Sequence, residues 1–370
     1  MPSEQDIRQA LVAVIDPEIR RSVVELDMVR DVRVDGGRVD VTITLTTPGC
    51  PMKANLEQQV REQVGKVSGV ESVGVGFDAM TSEQRTALRE KLSGGEAAQE
   101  RKVSLQPSTR VIAVASGKGG VGKSTLTANL ATALALDGAE VGVVDADIYG
   151  YSMPRMLGIS RRPVAVDQMM IPPVAHGLKI MSIGFFVDND GAIPWRGPML
   201  HRALEQFLSD VHWGALDYLV VDMPPGTGDI SISLGQLLPE PDLLIVTTPQ
   251  PAAQKVAMRA ADVASKTGMR VAGVVENMSH LVCSCCGDIT RPFGEGGGRA
   301  LADGLGVPLL GQVPLDEPLR EGADAGTPLV VSDPDAPSAA AIRELARTVP
   351  GVLRPKRGAE RIKKPLAILS

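Results

Sequence analysis

The chain has 370 residues, 44% hydrophobic and 22% charged, with aromatics at only 3% and a net charge of −6. That length and balance predict two or three soluble globular domains, one of them large enough for a full α/β core. The acidic balance argues against a general nucleic-acid binder, which carries a basic face. No run of about 18 apolar residues predicts a transmembrane helix, and the opening MPSEQDIRQ has no signal-peptide pattern, so a cytoplasmic chain is expected.

The first zone spans residues 1–92. EQDIRQALVAVI has helical spacing of its apolar residues. MVRDVRVDGGRVDVTITLTT alternates on both sides of Asp35-Gly36-Gly37, which predicts a hairpin. MKANLEQQVREQVGKV is a second helix, VESVGVGF a strand, and TSEQRTALREKL a helix capped at Thr81 or Ser82. Together they predict a small α+β domain. Residues 93–109 are polar, rich in small residues and aperiodic, and read as a linker.

From Arg110 to about residue 350 short apolar runs alternate with helical stretches. RVIAVAS, EVGVVDAD, YLVVDMP, DLLIVTT, RVAGVVEN and PLLGQVP are the strands. KSTLTANLATALALDG, PMLHRALEQFLSDV, AQKVAMRAADVASKTG, GRALADGLG and DAPSAAAIRELARTV are the helices. This is the pattern of an α/β domain with a doubly wound, mostly parallel sheet. Residues 351–370 form a basic tail.

The strongest motif is GKGGVGKST. Gly117, four residues, then Gly122-Lys123-Ser124 is P-loop spacing, with a strand before it and a helix after it. Its glycines let the backbone amides of Gly119, Gly120, Val121 and Gly122 turn toward phosphate, and the helix adds its positive end through Lys123, Ser124 and Thr125. Lys123 is expected at the terminal phosphates of ATP and the Ser124 hydroxyl at Mg2+. Asp145, Asp147 and Asp222 end strands at the edge where open α/β sheets bind ligands, and Asp222 is a candidate for holding Mg2+ through water. PPGTGD supplies a flexible loop in which Asp229 has either a capping or a switching role.

Four cysteines occur in the chain, three of them within residues 283–286. Cys283 and Cys286 form a C-x-x-C pair with Cys285 between them, suited to one metal or cluster. In a reducing compartment such a cluster reads as metal-binding or redox-active before it reads as a disulfide. One chain offers at most three nearby thiolates, whereas zinc or an iron–sulfur cluster takes four. Two chains meeting across a two-fold axis remove the shortage, because each brings two. Spacing alone does not separate iron from zinc or from a redox dithiol.

GKGGVGKST resembles the deviant Walker A loop of the MinD/ParA/nitrogenase-iron-protein group. That resemblance implies a P-loop NTPase fold and a face-to-face homodimer in which Lys118 reaches the partner's phosphates. It further implies that Asp222 is the Walker B aspartate, that Asp147 orients the attacking water, and that Asn277 hydrogen-bonds the adenine. With DADIYGYSMPRMLG, WRGPM, LDYLVVDMPPGTGD, TTPQ and VENMSHLVCSCCG in order over about 250 residues, the chain resembles the Mrp/ApbC family of iron–sulfur cluster carrier ATPases. The implied cargo is a [4Fe–4S] cluster bridged by Cys283 and Cys286 of two subunits, received from an upstream scaffold and passed to apo-proteins. No nucleic-acid or membrane partner is implied. Cys285, inside the motif, departs from the family pattern. The first zone, with Asp16-Pro17-Glu18 and Cys50, resembles the SufT-like domain of iron–sulfur assembly factors, which implies that Cys50 handles iron or a cluster transiently.

Two other readings stay open on the sequence. One is a spatial regulator resembling MinD or ParA, although Pro355 and Pro365 break any membrane helix in the tail. The other is a zinc-clasped metal-chaperone ATPase. On the carrier reading, Lys123→Ala is expected to abolish hydrolysis and to leave the fold intact.

Overall fold

The computed structural model describes residues 2–17, 19, 21–45, 53–81, 84, 87–88, 91, 105–147, 150–167, 169–186, 197–226, 234–283 and 285–356. Two compact units divide the chain. The first comprises Met1–Lys102, Arg161–Pro173 and Asp210–His212, and the second takes the rest.

In the first unit, helix Glu4–Leu11 starts at a capping box. The Ser3 side chain accepts from the Asp6 amide, and the Asp6 carboxylate accepts from the Ser3 amide. The expected hairpin is present: strands β1 (Val29–Asp35) and β2 (Arg38–Leu45) pair antiparallel from Asp35↔Arg38 outward. Helix Lys53–Gly65 then crosses over, and β3 (Ser72–Ala79) pairs parallel to β2. The helix buries Leu56, Val60 and Val64, one residue per turn, against Val39, Val41 and Ile43 of β2. At Thr81, one of the two expected cap positions, the hydroxyl accepts from the Gln84 amide, and the Gln84 side chain accepts from the Thr81 amide.

The second unit is built on an eight-stranded sheet. Its strands in chain order are β4 (Arg110–Ser116), β5 (Val141–Asp145), β8 (Val174–Ala175), β9 (Leu178–Ser182), β10 (Tyr218–Asp222), β11 (Asp242–Thr247), β12 (Arg270–Asn277) and β15 (Leu309–Val313). Across the sheet the order is β15-β12-β11-β4-β10-β5-β9-β8, parallel except for β8. Every expected strand is there. Alternate residues of β4, β10 and β11, such as Ile112, Val114, Val220 and Leu244, join helices Lys123–Leu136 and Pro337–Val352 in one core. The intervening Val111, Ala113, Leu219 and Leu243 are buried as well, so both faces of the sheet are covered. Each such burial contributes about 1.5–3 kcal/mol.

Two pieces were not anticipated. The hairpin β6 (Val164–Val166) and β7 (Met169–Ile171) belongs to the first unit, where Val166 and Ile171 enter the core, although it interrupts the sequence of the second. Strand β9 reads LKIMS, and its lysine hides the apolar run. Folding buries Lys179, whose ammonium donates to the Trp213 carbonyl at 2.6 Å. Among the described residues no helix is long and apolar enough to cross a membrane.

Candidate functional site

Strand β4 ends at Ser116, and the chain passes through residues 117–122 directly into helix Lys123–Leu136. Packing demands glycine at 117. A Cβ there would lie 2.4 Å from the Ala257 backbone nitrogen, so helix Pro251–Lys266 closes on the loop only over a hydrogen. Gly122 is demanded by conformation and packing together. Its φ is +81°, and a Cβ would lie 2.2 Å from Asn277 Nδ2. Gly122 is also the helix N-cap, and no side chain caps the first turn. The loop thus leads into an uncapped, electropositive helix end suited to a phosphate.

Lys123 is almost fully buried. Its ammonium lies 2.7 Å from Asp222 Oδ1 and 3.9 Å from Asp147 Oδ2, and it donates to Ser124 Oγ at 3.1 Å. Ser124 donates to Asp222 Oδ2 at 2.6 Å. Thr127 Oγ1 stands 3.0 Å from Asp222 Oδ1. Parallel pairing sets Asp222 of β10 level with Val114 of β4 and Asp145 of β5. The register of three strands therefore delivers both carboxylates to the mouth of the loop. The sequence reading passed over Thr127. Its signal was the i,i+3 spacing from Ser124, which puts both hydroxyls on one face of the helix.

Asp145 is fully buried and works as a tie. Its Oδ2 accepts from Ser152 N, Met153 N and Ser182 Oγ at 2.9–3.1 Å, and its Oδ1 accepts from Asp147 N at 3.3 Å. The segment carrying Asp147 is seated by these bonds. Burial, and then the charge of Asp222, push Asp145 up to about 7 against the donors on it. Asp147 is raised too, chiefly by burial; Lys123 draws it down, and Asp222 raises it further.

The donor set fits Mg2+. Ser124 and Asp222 offer hard oxygen atoms, and carboxylates outnumber the single ammonium. Among the described residues no three His, Cys, Asp or Glu side chains are placed to hold one ion. Mg2+ suits such a site because it keeps several waters and takes phosphate oxygens.

The cysteines follow the end of strand β12. Strands β13 (Leu281–Val282) and β14 (Ile289–Thr290) form a short antiparallel hairpin. Its turn is closed by Cys283 N donating to the Asp288 carbonyl and Gly287 N donating to the Cys283 carbonyl, each at 2.9 Å. Cys283 is half-buried, and Cys285 and Cys286 are exposed thiols. Backbone amides of Cys286 and Cys285 point at the Cys283 sulfur and hold its thiol below the usual range. The hairpin thus presents Cys285 and Cys286 to solvent beside the half-buried Cys283.

The family described as NUBPL iron-transfer P-loop NTPase matches residues 108–350. This chain belongs to that family. A second profile, described as iron-sulfur cluster assembly protein, matches residues 4–75. The "Iron-sulfur cluster carrier protein" of Mycobacterium leprae is 49% identical over 355 residues, covering 94% of this chain and 91% of the relative. A nucleotide-binding protein from Archaeoglobus fulgidus, solved with ADP, is 37% identical with a TM-score of 0.54, covering 61% of this chain and 89% of that one. The septum site-determining protein MinD of Pyrococcus horikoshii, solved with Mg-ADP, is 26% identical with a TM-score of 0.50, covering 65% and 96%.

Within this iron-transfer NTPase the remaining expected site residues are located as follows. Lys118 donates to Gln250 Oε1 of its own chain at 2.9 Å. Asn277 is buried, and its Nδ2 donates to the Val121 carbonyl at 2.8 Å, so it grips the phosphate loop itself. Thr125 is half-buried in the first helical turn. Cys50 and Asp229 lie outside the described residues.

The buried pair alters one expectation. Lys123→Ala removes the cation beside a fully buried Asp222, so it lowers stability as well as abolishing hydrolysis. The loss is up to about 3–5 kcal/mol, to be measured by chemical denaturation alongside ATP turnover. An unchanged denaturation midpoint would contradict the pairing.

Asp145 adds a pH dependence. Its folded-state pKa of about 7 stands above the ordinary 3.8, so between those values the folded chain holds a proton that the unfolded chain has released. Its contribution to stability falls as pH rises through that window, by at most about 1.4 kcal/mol per pH unit. In metal-free protein Asp145→Asn removes this slope, and denaturation at about pH 5 and about pH 8 compares the two chains. Equal slopes would count against a raised Asp145.

Proposed function

We propose that this protein is an ATP-dependent carrier of a [4Fe–4S] cluster, which it holds as cargo between two copies of itself and delivers to apo-proteins. One observation carries the reading: a P-loop ATPase site and an exposed C-x-x-C hairpin occur on the same unit, and the hairpin supplies half of a four-thiolate set. Cys283 and Cys286 are the ligands, with Cys285 beside them. No third histidine or carboxylate among the described residues is placed to complete the set. Near-full-length relatives at about half identity carry the carrier name.

The second copy follows from chemistry and surface together. Leu281 and Ile289 flank the cysteines and are 39% and 53% exposed. Apolar side chains at that exposure gain by meeting a twin across a two-fold axis. In the dimer Lys118 exchanges Gln250 for the partner's nucleotide phosphates. Lys123, the loop amides and the first turn through Thr125 hold the phosphates of ATP. Mg2+, held by Ser124 and by Asp222 through water, supplies charge neutralisation at the phosphates. Asp147 orients the attacking water, and Asp145 keeps it in place. Asn277 lies where the adenine is expected. ATP turnover then changes how the two copies meet, and separation removes half of the cluster's ligands at once. The cluster comes from an upstream scaffold, the work is cytoplasmic, and neither nucleic acid nor membrane takes part.

The test is metal analysis after anaerobic reconstitution. The unaltered chain should be a brown dimer with about two irons per chain. The Cys283→Ser, Cys286→Ser double variant should lose the iron and the colour while still hydrolysing ATP. Zinc in place of iron, an unchanged iron content in the variant, or a monomer holding the full complement would each overturn the reading.

A further inference from the structure

The ATPase site and the cysteine hairpin are joined by a very short length of chain. Asn277 ends strand β12, and Cys283 stands six residues later. Asn277 Nδ2 holds the Val121 carbonyl at 2.8 Å. That carbonyl and the Gly122 N–H are opposite edges of one planar peptide unit. A phosphate that draws the Gly122 N–H toward itself therefore turns the carbonyl that Asn277 grips. The contact has little slack, since Gly122 itself packs against Asn277.

Beyond Asn277 the chain is pinned. Met278 takes a left-handed backbone conformation, with φ +56°, which is unusual for a long side chain. Ser279 donates from both its amide and its hydroxyl to the Val313 carbonyl, at 3.0 and 3.1 Å. The His280 carbonyl accepts from Leu315 N at 2.7 Å. The returning chain is pinned at its other foot, where the Gly298 amide donates to the buried Glu276 carboxylate. The chain leaving Asn277 is thus held at two feet, and the first of them touches the phosphate loop.

We propose that Asn277 is a positioning residue that passes the occupancy of the phosphate loop to the cysteine hairpin, with Ser279 as the fulcrum. The peptide plane Val121–Gly122 is the input, and the exposure of Cys283 and its neighbours is the output. The link works within one chain and precedes any change in how two copies meet. It deepens the carrier reading, but it concerns the hairpin whatever the cargo, so either can fail without the other.

The experiment uses reduced, metal-free, full-length protein, kept monomeric and checked by light scattering. Alkylation of Cys283, Cys285 and Cys286 by iodoacetamide is followed by peptide mass spectrometry with and without saturating Mg-ADP, and ADP affinity is measured by calorimetry. In the unaltered chain Mg-ADP should change the alkylation rate about fivefold or more, the lower end of ordinary coupling between sites. Asn277→Ala and Ser279→Ala should remove most of that change, and Ser279→Ala should do so with ADP affinity intact. A purely structural role for these residues would speed alkylation equally with and without ADP. The proposal is overturned if ADP leaves alkylation of the unaltered chain unchanged. It is equally overturned if Ser279→Ala keeps the full response; that variant decides the matter should Asn277→Ala lose ADP binding.

Discussion

The architecture of the ATPase unit turns on one buried contact, the ion pair between Lys123 and Asp222. An ammonium and a carboxylate taken out of water this completely are costly, and their attraction offsets the cost only when geometry and further hydrogen bonds are right. Here both conditions are met by the fold. The β4-β10-β5 register fixes the height of Asp222, the turn at Gly117 and Gly122 fixes Lys123, and the Ser124 and Thr127 hydroxyls occupy the remaining carboxylate positions. With Asp145 and Asp147 adjacent, negative charge is in excess. A site of that kind has a reason to accept Mg2+, which when bound would neutralise Asp222 and leave Lys123 free for phosphate.

The two sites in this unit differ in dielectric as well as in chemistry. The carboxylates around Lys123 are dry, so small displacements there change energies strongly. The cysteine pair is wet and reached from outside, as a site must be when its occupant has to leave for another protein. Its tuning is local: amides of the turn stabilise sulfur charge without burying it. Residues 278–280 link these environments: Asn277, at the end of strand β12, touches the loop, and the hairpin begins four residues later.

Much of this was legible in the sequence, and the exceptions have physical causes. The parallel strands announced themselves because both faces are covered, which makes each a continuous run of Val, Ile, Leu and Ala. The phosphate loop was legible because Gly117 and Gly122 answer steric demands that a residue with a Cβ does not meet. The cysteine hairpin was legible as three cysteines within four positions. Strand β9 was not, because the burial of Lys179 rests on contacts such as that with the Trp213 carbonyl, which no sequence pattern encodes. The β6–β7 hairpin was not, because its core partners, among them Val41 and Ile43, lie more than a hundred residues upstream. The hold of Asn277 on the Val121 carbonyl was invisible for the same reason: it joins residues 156 positions apart.

If Cys283 and Cys286 form the half-site proposed for them, it also determines how cargo and nucleotide influence each other. Two thiolates hold a cluster weakly, and four hold it well, so retention depends on the free energy of the dimer. Nucleotide that favours the paired form raises cluster affinity, and by linkage the cluster raises nucleotide affinity by the same factor. Hydrolysis is what breaks that reciprocity, since it replaces the ligand that favours pairing with one that does not. A carrier with all its ligands on one chain would have no such handle, because nothing about its subunit contacts would change the count of thiolates around the metal. On that proposal the shortage of cysteines is the property that allows an ATPase to control release.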